Sequence, residues 1–298
     1  MTALLVPAPA KLNLFLHVTR RRADGYHDIE TLFQLLDVGD EVSVIVTRAP
    51  GVRREGSVAG VPEDDDLAVR AARLLAAHCG VARGARLRVR KRLPLGGGLG
   101  GGSSDAASVL VALDRLWGLD LGVDALARLG LALGADVPVF VRGHSAFASG
   151  VGEVLRAVSL APQWYLVACP AARVSTAQVF AAPSLTRDST PLKIAGFPWA
   201  METQAGLERV WRRTRNDCEP VVLAREAGVA AALRWLAAVG PARMTGTGAC
   251  VFARFDARDA AERALRGAPP GLHAFVAAGV DRSPLLAAMD AAVPQASG

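Results

Sequence analysis

The 298-residue sequence has only four cysteines, and Cys79, Cys169, Cys218 and Cys250 are scattered along it. They form neither a CxxC pair nor a Cys/His spacing that suits a metal, which points to structural thiols in a reducing compartment. Long apolar runs are missing too. The uncharged stretch from Ala157 to Ala172 is broken by Pro162, Gln163 and Pro170, so no segment reaches membrane-spanning length. Ala8-Pro9-Ala10 looks like a cleavage site, yet no basic region precedes it and the apolar run covers only Ala3 to Val6. No signal peptide is expected. These absences predict a cytoplasmic protein with no membrane partner.

The charge balance, +6 from 34 basic and 28 acidic residues, favours anions weakly. The arginines are spread without aromatic interleaving, so nucleic acid is not an expected partner. A hydrophobic content of 51% is enough for a sizeable core in one large domain or two ordinary ones.

Periodicity supplies the elements. "AKLNLFLHV" alternates, with Lys11, Asn13, Phe15 and His17 opposite Leu12, Leu14, Leu16 and Val18, which reads as a strand with a polar second face. "HDIETLFQLL" and "DEVSVIV" read as two further strands, and Asp24-Gly25 as the turn before them. "RLRVRKRLP" reads as a strand with a basic solvated face, and helical spacing recurs over residues 66–78, 106–117 and 124–133. The second half carries helices near 204–214, 219–226, 229–238 and 257–266 and strands at "CVFARF" and "HAFVAAG". Strands and helices intermix without a βαβ rhythm, so the fold class is α+β, with a domain boundary between 1–160 and 161–298.

Six glycines surround Leu99 in "LGGGLGGGSSDAA", which runs straight into a helix with Ser103, Ser104 or Asp105 available as N-cap. Fixed in place, each glycine costs roughly 0.5–1 kcal/mol relative to alanine, which is heavy for a linker. Bare backbone ahead of a helix N-terminus suits an anion instead, because successive N–H groups can approach phosphate oxygens closely. The Walker pattern fails, since Gly102 is followed by Ser103-Ser104 and not by Lys-Ser/Thr. A dinucleotide-binding unit fails as well, because "GLDLGVDALARL" opens a helix where its second strand should lie. The HRD and DFG signatures of protein kinases are absent.

The stretch "PLGGGLGGGSSDAA" resembles the phosphate loop of the GHMP kinases. "PAPAKLNLFLHV" with "RRADGYHDIETLFQ", then "GADVPVF", then "NDCEP" with "MTGTGACVFA" are similar to the members that act on 4-diphosphocytidyl-2-C-methylerythritol. Cys218 in "NDCEP" stands where leucine is expected, a change that bears on packing. The resemblance implies the two-domain GHMP kinase fold, with a ribosomal-protein-S5-like N-terminal domain and a ferredoxin-like C-terminal domain. It implies transfer of the γ-phosphoryl of ATP, with Mg2+, to the 2-hydroxyl of that cytidine diphosphate-linked substrate, a step of non-mevalonate isoprenoid precursor synthesis.

Phosphoryl transfer needs its phosphates neutralised, its acceptor hydroxyl in line and a place for the proton. Pro94, Leu95, Gly96, Gly97, Gly98, Leu99, Gly100, Gly101, Gly102, Ser103 and Ser104 are the expected ATP-binding residues. Asp136, expected at a helix-to-strand junction, is the candidate base, and Lys11 its partner that stabilises the transferring group. Asn13 is expected to hydrogen-bond the acceptor, and Tyr26 and His27 to receive the pyrimidine. The family pattern sets Phe180 on the other face of the cytosine. Each has a plainer reading: a surface lysine, a turn aspartate, a core aromatic. No acidic residue matches the Mg2+ ligand of mevalonate kinases, so metal ligands stay unassigned. The competing readings are a homoserine or mevalonate kinase and a basic RNA-binding module. A monomer or weak homodimer is expected.

Overall fold

A computed structural model describes residues 3–192 and 200–292. It opens with two long antiparallel strands, β1 (Ala3–Arg21) and β2 (His27–Thr47), followed by the short β3 (Val52–Arg54). The two strands expected from "HDIETLFQLL" and "DEVSVIV" are one continuous strand. At Gly39, beside a shift in the pairing register, a Cβ would lie 2.1 Å from the Ala8 carbonyl oxygen, so only glycine lets β1 press against β2 at that point. The polar face of β1 is buried, with Lys11, Asn13 and His17 all enclosed.

Helix α1 (Leu67–Cys79) starts on Asp66, whose carboxylate accepts from the Ala68 N–H, and stops at Gly80 in the left-handed region. Strand β4 (Gly84–Arg90) pairs antiparallel with β2 and parallel with β3. Next comes α2 (Gly101–Trp117), with Val109, Leu110, Leu113 and Trp117 buried on its inner face. Each such side chain contributes about 1.5–3 kcal/mol when fully buried. α3 (Gly122–Leu131) and α4 (Val137–Arg142) complete the layer on this part of the sheet.

Strands β5 (Ala146–Ser149) and β6 (Val154–Ala157) form a hairpin that pairs with β2. β7 (Trp164–Cys169) and α5 (Thr176–Ala181) follow, then α6 (Gln204–Arg213), α7 (Glu219–Leu223) and α8 (Ala227–Ala237). The chain closes with β8 (Ala242–Met244), β9 (Val251–Phe255), α9 (Arg258–Leu265), β10 (His273–Val280) and α10 (Pro284–Ala291). β10 lies between β7 and β2, so the order β3-β4-β2-β10-β7-β9-β8 joins both halves of the chain. α10 then returns to the first half, where it packs on β1 and Leu285 and Met289 join the core that also holds the inner faces of α2 and α4. No helix among the described residues is long and apolar enough to cross a membrane.

Candidate active site

The glycine stretch forms a backbone cradle. Gly96, Gly98 and Gly100 have φ of 69°, 77° and 73°, so left-handed residues alternate with their neighbours in the pattern that turns successive N–H groups toward one point. α2 begins directly after it at Gly101, with Gly100 as its N-cap. The expected serine or aspartate cap is therefore absent: Ser103, Ser104 and Asp105 lie inside the first turns, and the helix end is left without a side-chain cap. Its free N–H groups and dipole face the cradle, which is the arrangement that holds an anion.

A second glycine turn locks the first. The Cys250 N–H donates to the Gly97 carbonyl at 3.0 Å, and a Cβ on Gly98 would come within 2.5 Å of the Thr245 carbonyl. Asn216 buckles this second turn, its amide donating to the carbonyls of Met244 at 2.8 Å and Gly246 at 2.7 Å. Its Oδ1 also accepts from the N–H of Cys218, the residue that precedes α7.

Lys11 reaches the cradle from β1, whose backbone is tied to the loop by the Lys11 N–H donating to the Leu99 carbonyl at 3.0 Å. Its ammonium lies 3.2 Å from Asp136 and donates to Asn13 Oδ1. Asn13 donates in turn to Thr31 at 2.8 Å, which fixes the orientation of its amide. The Asp136 side chain is 34% exposed while that of Lys11 is 3% exposed, so the carboxylate is the member of the pair open to a ligand. Asp136 ends at a helix, not a strand: it is the N-cap residue of α4, whose first turn contains Pro138.

Lys91 sits at the other end of the loop and was not singled out by sequence. Its ammonium bridges Asp40 and Asp105, with 2.8 Å to the latter. Asp40, on β2, also accepts from the backbone N–H groups of Arg92 and Leu93, so it ties the segment leaving β4 to β2, while Lys91 carries the link on to Asp105 in α2. Burial pushes the Asp105 carboxyl up to about 7; Lys91 opposes that shift and Asp40 adds to it. For Lys91, burial disfavours the charged form, but the Asp105 and Asp40 carboxylates outweigh it and raise the pKa. The clue was parity, because Lys91 falls on the side of the alternation occupied by Leu87, Val89 and Leu93.

Lys11, Asn13, Asp136 and the loop from Pro94 to Ser103 line one cavity of about 980 Å3, together with Lys91, Tyr26, His27 and Phe180. Ser104 is not part of the lining; it is buried, and its hydroxyl has no partner among the described residues. At the far end from the loop, Tyr26 stands 66% exposed. The His27 and Phe180 rings stack on each other, 5.1 Å apart and 28° from parallel, so Phe180 backs His27 instead of facing it across a gap. Burial, then Arg187 and Arg21, lower the His27 pKa and keep the ring neutral near pH 7.

No group of three or more His, Cys, Asp or Glu among the described residues could hold a metal ion. The three aspartates nearest the loop are paired with lysines. A cation caged by this chain alone does not fit, whereas one carried on the phosphates of a nucleotide needs no such cage.

A buried lysine paired with a part-exposed carboxylate, beside a glycine cradle at a helix N-terminus, is an arrangement suited to phosphoryl transfer to a small molecule. Residues 66–144 match the family of the GHMP kinases N-terminal domain and residues 205–269 that of the GHMP kinases C-terminal domain. The chain belongs to the GHMP kinase family and has its two-domain α+β fold. A relative from Marinobacter nauticus named 4-diphosphocytidyl-2-C-methyl-D-erythritol kinase is 50% identical over 96% of this chain and 97% of its own. One of the same name from Xanthomonas axonopodis pv. citri is 54% identical over 96% of this chain and 93% of its own. The crystal structure of a 4-(cytidine 5'-diphospho)-2C-methyl-D-erythritol kinase superposes with a TM-score of 0.76 at 32% identity, covering 93% of this chain and 100% of that one. A homoserine kinase from Cytophaga hutchinsonii shares the fold at 17% identity, with a TM-score of 0.69 over 95% of this chain and 96% of its own.

Proposed function

We propose that the protein transfers the γ-phosphoryl of ATP to the 2-hydroxyl of 4-diphosphocytidyl-2-C-methyl-D-erythritol. The observation that carries this reading is one cavity with a phosphate cradle and a lysine–carboxylate pair at one end and exposed or stacked rings at the other. The triphosphate lies along residues 94–103, where backbone N–H groups and the start of α2 meet its charge. Hydrogen bonds of that charged kind contribute about 1.5–3 kcal/mol each. An Mg2+ ion held on the nucleotide's own phosphates beside residues 94–103 would supply further neutralisation of their charge. Asn13 orients the acceptor hydroxyl, and Asp136 takes its proton as the new oxygen–phosphorus bond forms and the bond to the departing ADP breaks. Lys11 meets the charge that develops on the transferring group. Tyr26 and the His27–Phe180 stack receive the pyrimidine; base stacking of this kind contributes about 1–3 kcal/mol.

The chain divides near residues 160 and 161 in this reading, except that α10 belongs with the first domain, where it packs. A coupled assay of ADP release with ATP and 4-diphosphocytidyl-2-C-methyl-D-erythritol tests the function, with homoserine and mevalonate as controls. Turnover only with the cytidine substrate is expected; preference for either control overturns the reading.

A further inference from the structure

Arg187 lies in the irregular segment after α5, far in sequence from the β1–β2 turn, and its guanidinium joins the two. Its Nε–H donates to His27 Nε2 at 3.2 Å. Its Nη2 donates to the carbonyls of Phe180 at 2.8 Å and Ala182 at 2.7 Å, and its Nη1 to that of Leu185 at 3.1 Å. The Phe180 and Ala182 carbonyls sit at the C-terminal end of the six-residue α5, and that of Leu185 in the turn that follows, where the Leu185 N–H also donates to the Ala182 carbonyl. One side chain therefore satisfies the end of α5 and holds the ring that stacks on Phe180.

The direction of the bond to His27 has a chemical consequence. A guanidinium only donates and stays charged at any ordinary pH, so Nε2 must carry the lone pair and the ring must be neutral. The proton then belongs on Nδ1. We propose that Arg187 is a specificity-positioning residue: it locks His27 as the Nδ1–H tautomer and so favours a cytosine over a uracil in the outer end of the cavity. Cytosine offers two adjacent acceptors, O2 and N3, to such a donor, whereas N3 of uracil carries its own hydrogen and meets it badly. The inference rests on the proposed function, in that it takes this end of the cavity as the pyrimidine pocket.

Two readouts test it. Long-range 1H–15N NMR of the His27 side chain in the intact protein should show the Nδ1–H tautomer, and Arg187→Met should convert it to a mixture. In steady-state assays Arg187→Met should raise KM for the cytidine substrate about tenfold and lower the preference over the uridine counterpart by a similar factor. KM for ATP and kcat should stay within about twofold. Arg187→Lys, which keeps one donor group but not the fork, should fall between the two and serves if the methionine variant folds poorly. An Nε2–H tautomer in the wild type, or an unchanged cytidine-to-uridine ratio in both variants, overturns the proposal. A wild type inactive on the cytidine substrate would instead overturn the proposed reaction, and with it the base preference, while the NMR result still decides whether the tautomer is locked.

Discussion

Lys11 and Lys91 flank the same glycine loop, yet their surroundings differ in the one respect that matters for chemistry. Lys11 faces a single carboxylate, Asp136, which is one-third open to the cavity, and a neutral amide, Asn13. Lys91 is held between two carboxylates that are themselves buried. The first arrangement leaves an accessible carboxylate and a cation with capacity for a phosphoryl oxygen. The second spends its cation on two aspartates and on fastening residues 92 and 93 to the start of α2. Two lysines at similar distance from a phosphate loop therefore have different tasks, and the number of carboxylates around each tells them apart.

Substitutions can break this contrast. Lys11→Met should lower kcat by about 100- to 1000-fold with ATP affinity changed little, as steady-state kinetics and nucleotide titration would record. Gly98→Val should weaken ATP binding by at least about tenfold, measured by calorimetry. Its side chain has no room against the Thr245 carbonyl, and φ at that position is +77°. Asp40→Asn should cost about 3 kcal/mol in urea unfolding, because Lys91 and two N–H groups lose a charged acceptor, while kcat at saturating substrate stays within about threefold.

The smallest effect concerns pH. The folded Asp105 carboxyl titrates at about 7 against an ordinary 3.8, so the native state holds a proton that the unfolded chain has released between these values. The stability this group contributes is full below about pH 4 and is lost as pH rises toward 7. Asp105→Asn should flatten that slope by on the order of 1–2 kcal/mol in unfolding free energy measured across pH 4–7.

Much of the site was legible because its parts are local patterns. The alternation that puts Lys11 and Asn13 on one side of β1 is visible in nine residues, and the glycine cradle in thirteen. Helix bounds such as 204–213 and 258–265 followed from periodicity within a residue or two. What escaped depends on contacts between distant segments. Asp40 meets Lys91 across 51 positions, and Arg187 meets His27 across 160, with no shared periodicity to signal either. The α2 cap departs from expectation for a related reason. A serine next to a helix start usually caps it, but here the helix begins earlier, at glycines whose bare N–H groups face the cavity. Asp136, expected at a helix-to-strand junction, instead opens α4, where Pro138 in the first turn suits a helix start.

In the proposed function the Lys11–Asp136 end performs the transfer and the Lys91–Asp40 end only holds the loop. Single-turnover phosphoryl transfer from pre-bound ATP, measured for Asp136→Asn beside Asp40→Asn, tests it most directly. The rate is expected to fall by about 100-fold or more in Asp136→Asn with ATP affinity retained, and to stay within about threefold of wild type in Asp40→Asn despite its lower stability. A wild-type rate in Asp136→Asn, or equal losses in the two variants, would contradict it.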